Sequence, residues 1–477
     1  MAVGVALRVL VLHSNLATLD SDEAVVGLMA RHLTHGGFRA FYWGQDYGGT
    51  MEAALAAVVF RVAGSSTLAL KTVPMALDGV ATMLLWRIGR RLMAPGPAAV
   101  AGLLMWVWPA NYLWWSTKER GFYQSCLCLG LAFALVALRI AASQAGGPWR
   151  EWAVLGLLAG LGWWQSPQVV YVLAPATAWL AWRLRARTFR VIAAVPGFAL
   201  GALPWLWANV QDGLASLSPP PSPVKQGYLG HLSVLVRTGL PTTLGLRVAY
   251  TAHQWVGPQP AGIALYVVAL ALVVAACIRR WPGGRLAVAV VVVFPFVHSL
   301  LTLGGTVAEG RYTLFALPWL ALALAHGADR KLAAAALAVV VLAVSGAGLI
   351  DMRDQTSPFV SGRRVPRSLA ALERGLEAHG TTRVWADYWI AYRVTFETGE
   401  RVIAAPVTDD RYPPFRALVS ATPAAHVFLT GSASDRNFSA GLDARHVAYE
   451  RWAAGPEWVV YVPDAPVGPT DIPGSYP

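Results

Sequence analysis

Three of the four residues Asp20-Ser21-Asp22-Glu23 are acids, and they follow directly on an apolar run at the head of the chain. At a membrane boundary such a cluster costs desolvation and self-repulsion, so it needs cations, protons or hydrogen-bond donors close by. Helix capping accounts for part of it. Asp20 or Ser21 serves as the N-cap of a helix starting near Glu23, whose dipole favours acids in the first turn. Capping explains one acid well, a second acceptably, and not a third. Glu52, in Tyr47-Gly48-Gly49-Thr50-Met51-Glu52, stands in the first turn of a second helix with Thr50 as its cap. Ser116-Thr117-Lys118-Glu119-Arg120 sets two cations around one acid, either as a solvated loop or as a clamp for an anionic lipid head group. Glu309-Gly310-Arg311-Tyr312 opens a hydrophobic helix, where Arg311 either snorkels or holds a phosphate.

Composition decides what kind of elements carry these groups. The 477 residues are 56% hydrophobic and only 13% charged, with 21 Trp and a mean hydropathy of +0.48. A soluble chain carries about 25% charged residues. This one cannot cover its own surface in water, so it is an α-helical polytopic membrane protein. The formal net charge of +12 does not point to nucleic acid. Residues 1–350 hold 25 basic and 11 acidic side chains, against 13 and 15 in residues 351–477. The excess thus belongs to the hydrophobic part, where Lys and Arg mark cytoplasmic loops.

Runs of about 20 apolar residues can cross a bilayer. Eleven are read, at 3–18, 68–86, 95–115, 121–138, 152–166, 167–182, 191–209, 261–278, 286–304, 312–328 and 332–350. The stretch 151–182 is too long for one helix and breaks at Gln165-Ser166-Pro167, because proline cannot continue the backbone ladder. Alternate connections total 14 basic residues against two acids. The positive-inside rule then puts the N-terminus in the cytoplasm. The acid run, the 116–120 turn, residues 309–312 and the tail fall on the outer side of the cytoplasmic membrane.

Residues 1–350 form the transmembrane domain and 351–477 a small α/β domain outside the membrane. Within the outer loop 19–67, segments 24–35 and 49–62 read as amphipathic helices along the membrane surface, with Val25, Val26, Leu28, Met29 and Leu33 on one apolar face. The loop 210–260 carries a stiff proline-rich stretch at 218–223. In the tail, strands at 384–386, 401–405, 426–429 and 458–462 alternate with helices at 368–379 and 389–396. Trp385, Tyr388 and Trp389 read as core packing of that domain rather than as sugar-stacking groups. Asp78 lies one heptad beyond Lys71 and reads as its structural ion partner. His32 and His35 lack a third ligand nearby, and Cys126, Cys128 and Cys277 sit in apolar runs. No metal set or disulfide framework follows.

A longer pattern links these pieces. Ser21-Asp22-Glu23-Ala24 is followed by Leu28-Met29-Ala30-Arg31-His32-Leu33 and Gly36-Gly37, then by Gly160-Leu161-Gly162, Pro167 and Leu173-Ala174-Pro175. Gly197 to Pro204-Trp205, Asn209, and Gly310-Arg311-Tyr312-Thr313-Leu314 with Pro318 complete it. Over roughly residues 15–350 this order resembles the membrane-embedded GT-C glycosyltransferases. The nearest group is family 39-like, the bacterial relatives of protein O-mannosyltransferases and aminoarabinose transferases. The resemblance implies a sugar donor carried on a polyprenyl phosphate and Asp22 as catalytic base. Where that family often has a second acid at the start of its fourth helix, this chain has Glu119 ahead of Arg120-Gly121.

The chemistry is consistent with one base. A glycosidase needs two carboxylates because its leaving group is an alkoxide. A phosphate leaves as a stable anion, so a base for the acceptor hydroxyl and cations for the phosphate suffice. Direct displacement inverts the anomeric centre. The expected site comprises Asp22 and Glu23 as catalytic acids, with Arg311, Lys118, Arg120 and Tyr312 around the donor phosphate. Asp20, Glu52 and Glu119 face the acceptor or a divalent cation, although they form no established ligand spacing. Partners are the lipid-linked donor, membrane lipids and a protein or cell-envelope glycan acceptor, with mannose and arabinose both compatible. Two other readings stay open: a lipid-linked sugar flippase or other transporter, and a non-catalytic glycan-binding scaffold. Transporters place ionisable groups at mid-membrane, often in repeated halves, and these spans are polar-poor apart from Asp78 and His298.

Overall fold

The computed structural model describes residues 2–476 except 144–145, 185–188, 219–225, 250–253, 280, 282, 302–305, 308, 329 and 354–356. The proline-rich stretch from 219 onward lies outside the described residues. The apolar sequence becomes helices: α1 (Ala2–Leu12), α2 (Ser21–Thr34), α3 (Met51–Ala63), α4 (Thr67–Leu92), α5 (Pro95–Val107), α6 (Ala110–Trp115) and α7 (Tyr123–Ala142). There follow α8 (Trp149–Gln165), α9 (Val170–Leu184), α10 (Ala194–Gly201), α11 (Leu203–Gln211), α12 (Tyr228–Val234) and α13 (Leu240–Thr243). The helical part ends with α14 (Gln259–Ile278), α15 (Arg285–Leu300), α16 (Leu317–Gly327) and α17 (Lys331–Met352).

Among the described residues α4, α7, α14 and α17 are each long and apolar enough to cross a membrane, and Phe189–Gly201 with Leu203–Gln211 are so only together, as a pair bent by 58°. Several other apolar runs are interrupted where eleven continuous spans were expected. The run 95–115 divides at Trp108 and Pro109, both extended, and α1 stops at Leu12 before a short turn capped by the Ser14 hydroxyl. The break at Gln165-Ser166-Pro167 is present, with Ser166 extended and its hydroxyl accepting from the Gln168 amide. Helices α8 and α10 meet backbone to backbone. A Cβ at Gly156 would stand 2.0 Å from the Ala194 carbonyl oxygen, and one at Gly197 2.1 Å from that of Ala153. Small residues at such spacing are how membrane helices gain close contact.

Lys71 and Asp78 do not pair. Seven helical residues separate them by about 10 Å along the axis, and each has a nearer partner. Arg8 of α1 closes a buried ion pair with Asp78 and donates to Ser116 Oγ at 3.0 Å and to the Trp106 carbonyl at 3.0 Å. Lys71 turns instead to Glu23, at 2.6 Å.

After α17 comes a short hairpin, β1 (Phe359–Val360) and β2 (Arg363–Arg364). The tail continues α18 (Ala370–Ala378), β3 (Arg383–Ala386), α19 (Tyr388–Glu397), β4 (Ile403–Pro406), α20 (Pro413–Ser420), β5 (Ala425–Leu429), α21 (Ala433–Ala444), β6 (Tyr449–Ala454) and β7 (Trp458–Pro463). The sheet runs β4-β3-β5-β7-β6, with β4, β3 and β5 parallel and β7 and β6 antiparallel. All four expected strands are there. Strand β6 escaped notice because it is an edge strand with exposed Glu450 and Arg451, so its apolar signal is confined to alternate positions.

The expected surface helix 24–35 is not at a surface. Every residue of α2 from Glu23 to Ala30 is buried, because α19 of the tail covers the side that the other helices leave free. The fit is close: a Cβ at Gly27 would lie 2.5 Å from Phe396 Cε2. Periodicity shows which face is apolar but not what covers the other.

Candidate active site

Local chemistry places the acid run. Asp20 is the N-cap of α2, its carboxylate accepting from the Glu23 amide at 3.1 Å. Residues 116–120, between α6 and α7, then bring their cations onto it. Lys118 donates to the Thr18 carbonyl at 2.8 Å and pairs with Asp20 at 2.9 Å and with the Glu23 carboxylate. Arg120 bridges Asp20, at 2.7 Å, and Asp22. Glu23 also takes Lys71 and the Glu119 amide, at 3.1 Å. Burial works against the charge on Asp20, but Arg120 and Lys118 outweigh it and hold the carboxyl well below its usual range.

This accounts for three acids in four residues. Glu23 and Lys118 are closed inside the protein, and an ammonium has only three N–H donors. Those of Lys118 have three acceptors already, so a donor phosphate could claim it only by breaking a buried pair. Its expected place around the phosphate is thus corrected by the geometry. Asp22 differs from its neighbours in that its side chain keeps 21% of its surface exposed.

Glu52 does not reach Asp22. It is buried behind the 116–120 turn, where Oε1 accepts from the Ser125 amide and hydroxyl, both at 2.7 Å. Its neighbour is Glu119, which accepts the Gly121 amide at 2.9 Å. Burial pushes both carboxyls up, and the charge of Glu52 raises Glu119 further. Two carboxyls side by side in one dry site resist ionising together. Among the described residues no group of three or more His, Cys, Asp or Glu side chains is arranged to hold a metal ion. Asp20 and Asp22 face Arg120 rather than Glu52.

Arg311 joins the cluster through Trp115. The Trp115 indole donates to the Glu309 carbonyl at 2.9 Å, and the ring lies 5.9 Å from the Arg311 guanidinium and 5.1 Å from that of Arg120. Arg311 pairs with Glu309 at 2.7 Å and covers the buried Tyr312 ring at 4.9 Å. Residues 20–23, 116–120 and 309–312 therefore meet at one end of the bundle, the end that carries the tail.

Sequence reasoning missed the tail's part in this. The Tyr388 hydroxyl donates to Asp22 Oδ1 at 2.5 Å, and the Ser21 hydroxyl donates to the Tyr388 carbonyl. From the other side the Tyr42 hydroxyl donates to the Asp22 carbonyl at 2.9 Å. An aromatic at the start of a helix after a strand carries no signal of this kind, because its partner lies 366 residues away. Two cavities open elsewhere among these elements. One of about 590 Å³ opens between the tail and the ends of α1 and α4, lined by Leu19, Ser66, Lys71, Arg367 and Glu397. Another of about 300 Å³ runs among α14, α16 and α17 and is walled by Leu265, Leu272, Leu324 and Val341.

Residues 49–207 match the model of the dolichyl-phosphate-mannose-protein mannosyltransferase family. No curated protein matches the chain in sequence. Among solved structures, ArnT from Cupriavidus metallidurans bound to undecaprenyl phosphate is similar with a TM-score of 0.65 and 11% identity, covering 98% of each chain. The apo state of that protein gives 0.67 at 11% identity, again over 98% of each chain. The apo oligosaccharyltransferase of Archaeoglobus fulgidus gives 0.50 at 10% identity, over 99% of this chain and 75% of its own. The whole chain thus shares the fold of ArnT, with several helices long and apolar enough to cross a membrane and a small C-terminal sheet domain, and its residues 49–207 are similar to the mannosyltransferase family.

Proposed function

We propose that the protein moves a sugar from a polyprenyl-phosphate carrier to a hydroxyl of a protein or cell-envelope glycan, at the membrane face that bears the tail. That face is the outer one in this reading, with the N-terminus in the cytoplasm. The observation that carries the proposal is the pairing of Asp22 with Arg120 at the bundle end where Arg120 and Arg311 both lie against the Trp115 ring. A prenyl chain stays in the bilayer while its sugar phosphate sits at the interface, so catalytic groups must gather at helix ends on one face.

In the step, Asp22 takes the proton of the acceptor hydroxyl. The acceptor oxygen bonds to the anomeric carbon as the bond from that carbon to the phosphate oxygen breaks, and the electron pair leaves on the phosphate. Arg311, which keeps a fifth of its side chain exposed, and Arg120 stabilise the charge that develops there. Inversion at the anomeric carbon follows from the single displacement. Glu23 keeps Lys71 and Lys118 in place beneath the base.

The apolar cavity among α14, α16 and α17 supports a prenyl substrate. Leu244 lines it, next to Thr243, whose hydroxyl donates to Thr313 Oγ1 at 2.6 Å, two residues from Arg311. The wall of the larger cavity carries hydroxyls and both signs of charge, the lining a polar acceptor requires. The family description names a lipid-phosphate sugar, and the ArnT structure is named for undecaprenyl phosphate; both favour that class of donor. Purified protein in detergent, given a panel of labelled polyprenyl-phosphate sugars with and without chelator, tests the reading. Transfer from at least one of them, lost in Asp22→Asn, is expected. No release of sugar from any of them overturns it.

A further inference from the structure

The tail sheet is wound so that one end of it is a natural site. Strand β3 lies between β4 and β5, both parallel to it, so the chain leaves β3 to one side and returns on the other. In open α/β sheets ligands meet the crevice at the carboxyl ends of the strands where the winding reverses. The carboxyl end of β3 is Ala386-Asp387-Tyr388. Here that crevice faces the acid run of the membrane domain.

The seating is firm. Trp43 and Tyr412 stack with ring centroids 4.0 Å apart and planes 19° from parallel. Glu400 takes Arg31 at 3.1 Å and His32 at 3.0 Å. Tyr388 itself is buried, packed edge-on against Trp389 and Tyr392, with Arg411 beside its ring. Burial first, and then the Asp22 charge, keep its phenol well above the usual range, so the group is a proton-bearing donor.

Building on the assignment of Asp22 as base, we infer that Tyr388 of the tail is a positioning residue for the transfer reaction, holding the Asp22 carboxylate in the plane that an acceptor hydroxyl needs. Arg120 occupies Oδ2 and the Tyr388 hydroxyl one lone pair of Oδ1. A carboxylate has about four acceptor positions, so a second lone pair of Oδ1 remains for the acceptor. Tyr388 keeps its own proton throughout. A carboxylate held by one partner would rotate and meet water as readily as acceptor; held by two, it offers one direction. The tail domain thus completes the active site rather than standing beside it.

The contact is tested without any substrate. With 3-fluorotyrosine at position 388 in the full-length protein, the fluorine resonance is expected to move when Asp22→Asn is introduced. An unmoved resonance overturns the inference, whatever the activity. Function is tested with undecaprenyl-phosphate mannose and arabinose as donor probes. Tyr388→Phe is expected to lower kcat at least tenfold, leave the donor KM within twofold, and send a larger share of the sugar to water. In parallel, ring-fluorinated tyrosines, which change donor strength at nearly constant shape, are expected to change kcat in order of phenol acidity. A kcat within twofold of the parent, or a loss matched by a fall in melting temperature without that ordering, overturns it. If the parent turns over neither probe, the fluorine measurement alone decides the placement, and the transfer reading is tested separately by the wider panel.

Discussion

Lys71 Nζ lies 2.6 Å from Glu23 Oε1, so α4 is tied to the acid run through Lys71 rather than turned onto its own Asp78. With Lys118 on the second oxygen, Glu23 holds two buried ammonium groups. Removing one partner from such a pair leaves an uncompensated charge and costs about 3–5 kcal/mol. Glu23→Ala is therefore expected to lower the melting temperature in detergent markedly. A variant that melts with the parent would free Glu23 from this structural role.

Asp22 carries a different expectation, because it is partly exposed and its pairing is open to solvent. Asp22→Asn keeps the shape and a hydrogen-bond acceptor but removes the base. General-base catalysis contributes about 10²–10⁴-fold, so transfer should fall by that order while expression and melting stay near the parent. Substantial residual turnover in a correctly folded variant removes the residue from the base role.

Arg311 is expected to act on donor binding. Its fork pairs with Glu309 now and suits a phosphate in the complex. Arg311→Ala should raise the donor KM by about tenfold or more, since a charge-assisted hydrogen bond is worth about 1.5–3 kcal/mol. Arg311→Lys should restore part of that, keeping the charge without the planar fork. Lys118→Met, by contrast, should cost stability, because its partners are internal. Donor titrations and thermal melts separate the two.

The Glu52–Glu119 pair makes stability fall with alkali. Burial raises both carboxyls in the folded protein, Glu119 the more. A group whose folded pKa lies above its unfolded value stabilises fully below the unfolded value, about 4.3 for Glu, and loses that contribution as pH rises through the folded one. Glu119→Gln copies the protonated acid. It is expected to match the parent near pH 4 and to melt increasingly higher than the parent as the pH is raised. Parallel curves across that range would show that burial does not hold Glu119 protonated.

Much of this molecule is written in local sequence. Apolar runs and their flanking arginines announce a polytopic helical protein. Gln165-Ser166-Pro167 marks its break, and Asp20 marks the cap of α2, because backbone hydrogen bonding acts over a few residues. The gathering of residues 20–23, 116–120 and 309–312 was legible too, since a membrane permits only two faces and alternate loops share one. The identity of the partners was not. Whether Lys71 meets Asp78 or Glu23, whether Glu52 meets Asp22 or Glu119, and which side chain of a distant sheet domain touches the base depend on packing between helices far apart in the chain. A charged group in a dry interior takes whichever counter-charge the fold brings within about 3 Å, and spacing along one helix cannot say which that is. Tyr388 is the clearest case: its residue type is legible anywhere, but its place on Asp22 exists only once the tail has docked.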